Sequence, residues 1–315
     1  MAIERKLGGL MLISTHAMHA TLPAPFITAG WQQVDDSSFG TTNINAIASN
    51  SSGTFVAVGS SGKIATSTDS GITWTQQESP FQTSNIYCVA YGDGIYIAAG
   101  STGKMATSVD AQNWSLVNST FGASAILGVE YLPFASMWVA VGASGKLATS
   151  LDGNAWLQRA SSFGTTFINE VHASADLAVA VGYDGKLATS PNGVNWTQRG
   201  SSFVLSTIYD VVSKPDASEY VAVGDSGKVA TSSDGLAWSQ IFPTSSFGAS
   251  SIRGIASTEE GYTAVASAGK IGTAFESDFW TQRSSTFGLS SVNGVVISNN
   301  VGIAVGNDGK IAYSA

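Results

Sequence analysis

Cysteine is almost missing from this chain of 315 residues: Cys88 stands alone. A lone thiol excludes an intrachain disulfide framework and any cysteine-based zinc cluster. Charge is scarce as well, with only 11% of residues Asp, Glu, Lys or Arg and a net −8 at pH 7. A general nucleic-acid binder needs a basic excess to displace counterions from phosphates, so no nucleic-acid partner is expected. No apolar stretch approaches the roughly 18 residues of a membrane-crossing helix, and no membrane insertion is expected. Histidine is rare; His16-x-x-His19 has helical spacing for a metal pair but lacks a third ligand. No metal and no cofactor are expected. What remains is 43% hydrophobic and holds 35 glycines, enough to bury a large core.

The first 30 residues differ from the rest. Glu4-Arg5-Lys6, then Leu7 to Ile13, then Ala20 loosely imitate a secretory leader, but the apolar run is short and Met18 sits where a small residue is required for cleavage after Ala20. The segment 1-30 is read as a retained arm, too apolar to stand in water without a partner. Leu10, Met11, Leu12, Ile13 and Phe26 make it the candidate docking element.

From there on the chain repeats itself about every 41 residues. Gly-Lys recurs at Lys63, Lys104, Lys146, Lys186, Lys228, Lys270 and Lys310. Tryptophan recurs at Trp31, Trp74, Trp114, Trp156, Trp196, Trp238 and Trp280, with Trp138 alone outside the series. A phenylalanine series runs Phe39, Phe81, Phe121, Phe163, Phe203, Phe247 and Phe287. One unit reads as four short strands, Ile44-Ala48, Thr54-Gly59, Lys63-Ser67 and Thr73-Gln76; nothing reads as a helix. Segments such as Phe55-Val-Ala-Val58 and Tyr220-Val-Ala-Val223 are apolar on both faces, so each sheet needs a neighbour on either side. Asp152-Gly153, Asn192-Gly193 and Asp234-Gly235 supply the turn chemistry between the third and fourth strands.

Four-stranded units covered on both faces either stack openly or close radially. The seventh unit ends after Lys310 without a tryptophan strand, while Trp31-Gln-Gln33 is a tryptophan strand with no unit before it. Each completes the other and removes an exposed edge. The expected fold is therefore all-β: a seven-bladed β-propeller over 31-315 whose last blade is closed by the N-terminal strand.

Ser67-Thr-Asp69-Ser-Gly71-Ile-Thr-Trp74 resembles the Asp-box, S-x-D-x-G-x-T-W, of sialidase-like BNR propellers. Other units keep a shorter form, as in Ser150-Leu-Asp152-Gly-Asn-Ala-Trp156, and Ala274 to Trp280 is degenerate. In that family the aspartate caps its turn and the tryptophan packs between strands, so both are structural. The longer phrase, Gly-Lys-Ile/Leu-Ala-Thr-Ser through Trp-x-Gln-Arg to Ser-Ser-Phe-Gly, is similar to propellers among tail and virion structural proteins of tailed bacteriophages, and more distantly to photosystem II assembly factors.

A sialidase-like enzyme would imply an arginine triad, a Tyr-Glu nucleophile pair and an aspartic acid/base around the central funnel. Arg159, Arg199 and Arg283 instead end outermost strands, and Arg5 lies in the arm. Only Arg253 sits on an innermost strand, where Glu170, Tyr209 and Asp210 from adjacent units join it in a central channel cluster. Two carboxylates could perform glycosidic acid/base chemistry if their pKa values were split; a channel salt bridge satisfies the same residues. No catalytic residue is assigned and the chain is not expected to be an enzyme.

Strand alternation sorts the loops onto two faces. One receives the seven Gly-Lys turns, the outer arginines and the Ser-Ser-Phe-Gly crossovers, and is expected to be basic. There Lys63, Lys104, Lys146, Lys186, Lys228, Lys270 and Lys310 form either a binding ring for anionic polymers or surface lysines paired locally with Asp184, Asp225 or Asp308. The other face receives the hairpin acids Asp69, Asp110, Asp152, Asp234, Glu276 and Asp278, with Asp93, Asp216, Glu219, Glu259 and Glu260 from other loops. The phenylalanines read as buried anchors of the crossovers rather than as a platform for sugars.

Together these readings point to a non-enzymatic virion protein of a tailed phage, in tail, baseplate or particle surface. It would present a rigid disc, contact other virion proteins through the arm, and take a host-surface glycan as a further partner. A secreted or surface carbohydrate-binding lectin, hence extracellular, is the alternative; a glycosidase is the third.

Overall fold

The computed structural model describes residues 30–241 and 247–314. The arm, with Leu10, Met11, Leu12, Ile13, Phe26 and the His16/His19 pair, lies outside the described residues apart from Gly30.

Seven four-stranded antiparallel sheets follow one another along the chain. Blade 1 spans 44–77, blade 2 86–118, blade 3 126–159, blade 4 168–199, blade 5 208–241 and blade 6 252–283, each running in chain order from its first strand to its fourth. Blade 7 is made of Val292–Ser298, Val301–Gly306 and Ile311–Ser314, and its fourth strand is Gln32–Gln33 from the other end of the described chain. Gln32 pairs with Tyr313 and Gln33 with Ala312. The first strand of each blade packs against that of the next, and Val292–Ser298 packs against Ile44–Ser49 of blade 1. The ring is closed as expected.

The second strands explain why the blades must stack. Phe55–Gly59, Ala178–Gly182 and Tyr220–Gly224 are buried at every position, so one sheet face alone could not keep them dry. Trp138, outside the tryptophan series, is fully buried on the second strand of blade 3. Strand limits differ from the sequence reading at the fourth strand of blade 1, which is Thr75–Gln77. Thr73 and Trp74 belong to the preceding turn, where the Thr73 amide donates to Asp69 Oδ1 at 2.9 Å and the Trp74 indole donates to the Gly71 carbonyl at 3.0 Å. The helical content is limited to short 3-10 turns such as Ser60–Gly62 and Pro133–Ala135.

Candidate functional site: the mouth of the central channel

Every first strand carries a β-bulge after its first residue, for example between Ile44 and Ala46 or Ile168 and Glu170. A bulge leaves one residue out of the ladder and re-aims its side chain. The seven residues so released are Asn45, Tyr87, Leu127, Asn169, Tyr209, Arg253 and Asn293, and all line one cavity on the axis, about 530 Å³ in volume. Three of them clasp neighbouring blades. Asn45 Nδ2 donates to the Ile86 carbonyl at 2.7 Å, Asn169 to Ile208 at 2.8 Å and Asn293 to Ile44 at 2.8 Å. At the other bulges the released residues are Tyr87, Leu127, Tyr209 and Arg253.

Below this rim lie three carboxyls. Glu170 and Asp210 occupy the same repeat position in blades 4 and 5, opposite Val181 and Val223. Glu130 enters from blade 3, one inward-facing position further along its strand, opposite Val139. Gly128 makes room for Glu170: a Cβ there would stand 2.7 Å from Glu170 Oε1. Asp210 ties blades 5 and 6 together, accepting from the Val211 amide of its own strand at 2.7 Å and from the Ile255 amide of blade 6 at 2.9 Å. Glu170 accepts from the Val171 amide at 3.0 Å.

Burial decides the ionisation of these groups. It pushes Glu130 up to about 8, with help from the Asp210 charge. It pushes Glu170 well above the usual carboxylate range, again reinforced by Asp210. Asp210 rises only to about 6, because its two backbone amide bonds oppose the desolvation. Glu130 therefore holds its proton at neutral pH and can donate as well as accept. Nearby, His172 is pushed down to about 4 by burial; its Nε2 accepts from the Ser213 amide at 2.9 Å, which makes it a neutral link between blades 4 and 5.

The structure brings together the four cluster residues Glu170, Tyr209, Asp210 and Arg253 as lining of this one cavity. It corrects the salt-bridge reading of them. The only ion pair within 4 Å among the described residues is Lys214–Glu219 at 3.9 Å, on the opposite face. Arg253 is exposed and lies over the Tyr209 ring, 5.7 Å from its centroid, while Asp210 is engaged with backbone amides. The Tyr209 hydroxyl, up at about 12 through burial, is bonded to Asp225. Glu130 was not foreseen. Comparing first strands position by position looks for it where Gly128 sits; the available signal was a single acid inside the apolar strand Ile126–Leu132.

The lysine series is bonded to the scaffold's own backbone rather than paired locally with acids. All seven Nζ atoms donate to the backbone carbonyl of the phenylalanine that opens their own blade: Lys63 to Phe39 at 2.8 Å, Lys146 to Phe121 at 2.7 Å and Lys270 to Phe247 at 2.7 Å. Lys104, Lys186, Lys228 and Lys310 do the same to Phe81, Phe163, Phe203 and Phe287. None pairs with Asp184, Asp225 or Asp308, because the ammonium is drawn over the crossover. The phenylalanines themselves are buried anchors, at most 1% exposed. Among the described residues the outgoing crossover of five blades is tied to the same turn by a serine, as Ser161 Oγ donates to the Gly145 carbonyl at 2.6 Å. On the hairpin face Asp152 Oδ1 accepts from the Asn154 and Ala155 amides, both at 2.9 Å, and those bonds hold its carboxyl below the usual range. Among the described residues Lys214 is the one cation on that face. No group of three His, Cys, Asp or Glu side chains among the described residues is arranged to hold a metal.

No family model matches the chain, and no curated protein matches it. Solved structures do. It is similar to YCF48 bound to a D1 peptide, with TM-score 0.72, 15% identity, and coverage of 91% of this chain and 95% of that one. YCF48 from Cyanidioschyzon merolae gives TM-score 0.71 and 18% identity over 91% of this chain and 99% of that one. A virginiamycin B lyase from Staphylococcus aureus gives TM-score 0.77 and 11% identity over 90% and 99%. At these identities the likeness establishes the seven-bladed fold alone.

Proposed function

We propose that this chain is a non-enzymatic structural propeller of a particle, of the kind its Asp-box repeats resemble in tailed-bacteriophage virions. The ring is a rigid presentation disc located on the virion and docked to other particle proteins through the arm 1–30. The observation that supports this most is what the repeated residues are used for. Lysine, tryptophan, serine and the turn aspartates all bond to the scaffold's own backbone, which stiffens a disc and leaves its two unlike faces for partners. A propeller of the same fold bound to a peptide fits a role in protein contacts.

Mass spectrometry of purified particles tests the location. Deletion of residues 2–28, sparing Trp31, tests the docking: the truncated protein should keep its thermal transition and fail to join particles. Normal incorporation of the truncated protein overturns the docking role. Absence from particles together with specific binding on a glycan array would favour the lectin instead.

A further inference from the structure

Internal repetition gives each loop position six controls within the same molecule, and one sector departs from them. The residue after each crossover phenylalanine is Gly40, Gly122, Gly164, Gly248 or Gly288, with Gln82 in one blade, but it is Val204 at the entry to blade 5. The five glycines suit the left-handed backbone required here; Gln82 enters it at φ 57 and the β-branched Val204 at φ 62. A β-branched side chain there is strained, and strain that persists marks a place where something other than folding has set the residue. Next to it Leu205 stands where other crossovers carry Thr41, Thr83, Ala123, Thr165 and Ala249, with a second leucine, Leu289, at the entry to blade 7. Both are 78% exposed.

The neighbouring loops depart in the same sense. Tyr183 opens the blade 4 turn, where other blades have Ser60, Ser101 or Ser267, and Phe167 precedes the first strand of blade 4, where others have Asn43, Asn85 or Ser291. These are 44% and 40% exposed, with ring centroids 5.3 Å apart. The Tyr183 turn is seated on the Val204 segment, since Gly185 closely approaches the Val204 carbonyl. Tyr183 also lines the axial cavity together with Tyr209 and Arg253. An apolar strip thus runs from Leu205 through Val204, Phe167 and Tyr183 to the Tyr209 ring, and it ends on the Arg253 guanidinium, which has no carboxylate within 4 Å among the described residues. Blade 7 repeats the leucine as Leu289 but has none of the other three, and the remaining blades fold without any of the four, so the ring does not need them.

We propose that this sector of blades 4 to 6 docks an extended peptide segment of a partner protein, one that bears branched or aromatic apolar side chains followed by a carboxylate. The apolar side chains of the segment cover Val204, Leu205 and the Phe167/Tyr183 pair, and the carboxylate meets Arg253, the exposed cation at the end of the strip. The site is independent of the arm: it goes beyond the particle reading and would stand if the protein never joined a particle.

The test uses the full-length chain and a control built from its own repeats. A variant carrying Phe167→Ser, Tyr183→Ser, Val204→Gly and Leu205→Thr has at each position a residue that another blade uses there. It should fold with an unchanged or higher Tm, since Val204→Gly removes the strain. A displayed library of peptides about a dozen residues long is selected on the wild-type protein, and the enriched peptides are synthesised and titrated by fluorescence anisotropy. Peptides combining apolar residues with Asp, Glu or a free C-terminus should be enriched, and should bind both the quadruple variant and Arg253→Gln at least about tenfold more weakly. Equal affinity for the wild type and the quadruple variant, no enrichment, or enrichment of basic peptides overturns the proposal. So does concentration-dependent dimerisation of the wild type that the quadruple variant lacks, which would make the occupant a second copy, and so does glycan-array binding lost in that variant, which would make it a sugar. Presence or absence of the protein in particles alters none of these readings.

Discussion

A lysine near a turn is ordinarily read as solvated, yet here seven of them act as struts. Each reaches back over its own blade to the carbonyl of a buried phenylalanine, as Lys146 does to Phe121 at 2.7 Å. The strut holds the incoming crossover against the turn, while in blade 3 the serine of the outgoing crossover holds the other side. Replacing Lys146 by Met keeps the aliphatic stem and removes the donor. A half-buried hydrogen bond from a charged group contributes about 1–2 kcal/mol, so Lys146→Met should lower stability by that amount in urea unfolding, whereas Lys214→Met, at a half-buried lysine whose ion pair with Glu219 is long at 3.9 Å, should change it by less than about 1 kcal/mol. Equal effects at the two positions would mean that the strut carries no load. This role could not be read in advance. The tryptophan partner is three residues away and belongs to a recognisable turn, but the lysine's acceptor is a main-chain oxygen more than twenty residues upstream, and main-chain oxygens leave no mark on composition or spacing.

Strands were legible where each blade repeats the same demand. Two-sided burial of segments such as Tyr220–Gly224 requires sheets on both sides, and the missing fourth strand of blade 7 pointed to Gln32–Gln33. The bulges were not legible, because the residue each one releases varies from Asn45 to Tyr87 to Arg253 and only the backbone register is shared. Glu130 stayed hidden for the same reason. The closing strand is the weakest joint of the ring: it pairs at only two positions, and the buried Trp31 indole lacks a hydrogen-bond partner among the described residues. Trp156, by contrast, donates to Gly153 at 2.9 Å. Removing either large buried side chain costs about 3–5 kcal/mol. The expected difference is in where the loss appears. Trp156→Ala should protect fewer amides in blade 3 alone, while Trp31→Ala should raise hydrogen exchange on both sides of the seam, in 292–314 and in 44–77. If exchange after Trp31→Ala stays confined to residues 30–33, closure does not depend on that strand.

On the scale of the whole ring, the axis and the rim respond to protons in opposite directions. Asp69, Asp110, Asp152 and Asp234 are held below the usual range by turn hydrogen bonds, so their stabilisation is present above about pH 4 and is lost as acid protonates them. His172, pushed down to about 4, acts in the same sense: its contribution declines as the pH falls from about 6.5 toward its folded value. The channel acids do the reverse. Asp210 at about 6 and Glu130 at about 8 bind protons more tightly folded than unfolded, so what they contribute is complete below about pH 4 and disappears as the pH rises through those values. Glu170 shifts in the same direction. Three acids around one axis, each contributed by a different blade, must then share their charge when deprotonated, and the repulsion falls on contacts between blades rather than within them. Melting followed by circular dichroism should therefore show Tm declining as the pH rises from 6 toward 9. Glu130→Gln supplies a permanently neutral hydrogen-bonding group of nearly the same shape and should flatten that decline, whereas Glu259→Gln on the exposed hairpin face should leave it intact. A decline equally steep in Glu130→Gln would place its origin away from the channel and would mean that the axial acids are solvated enough to ionise without cost.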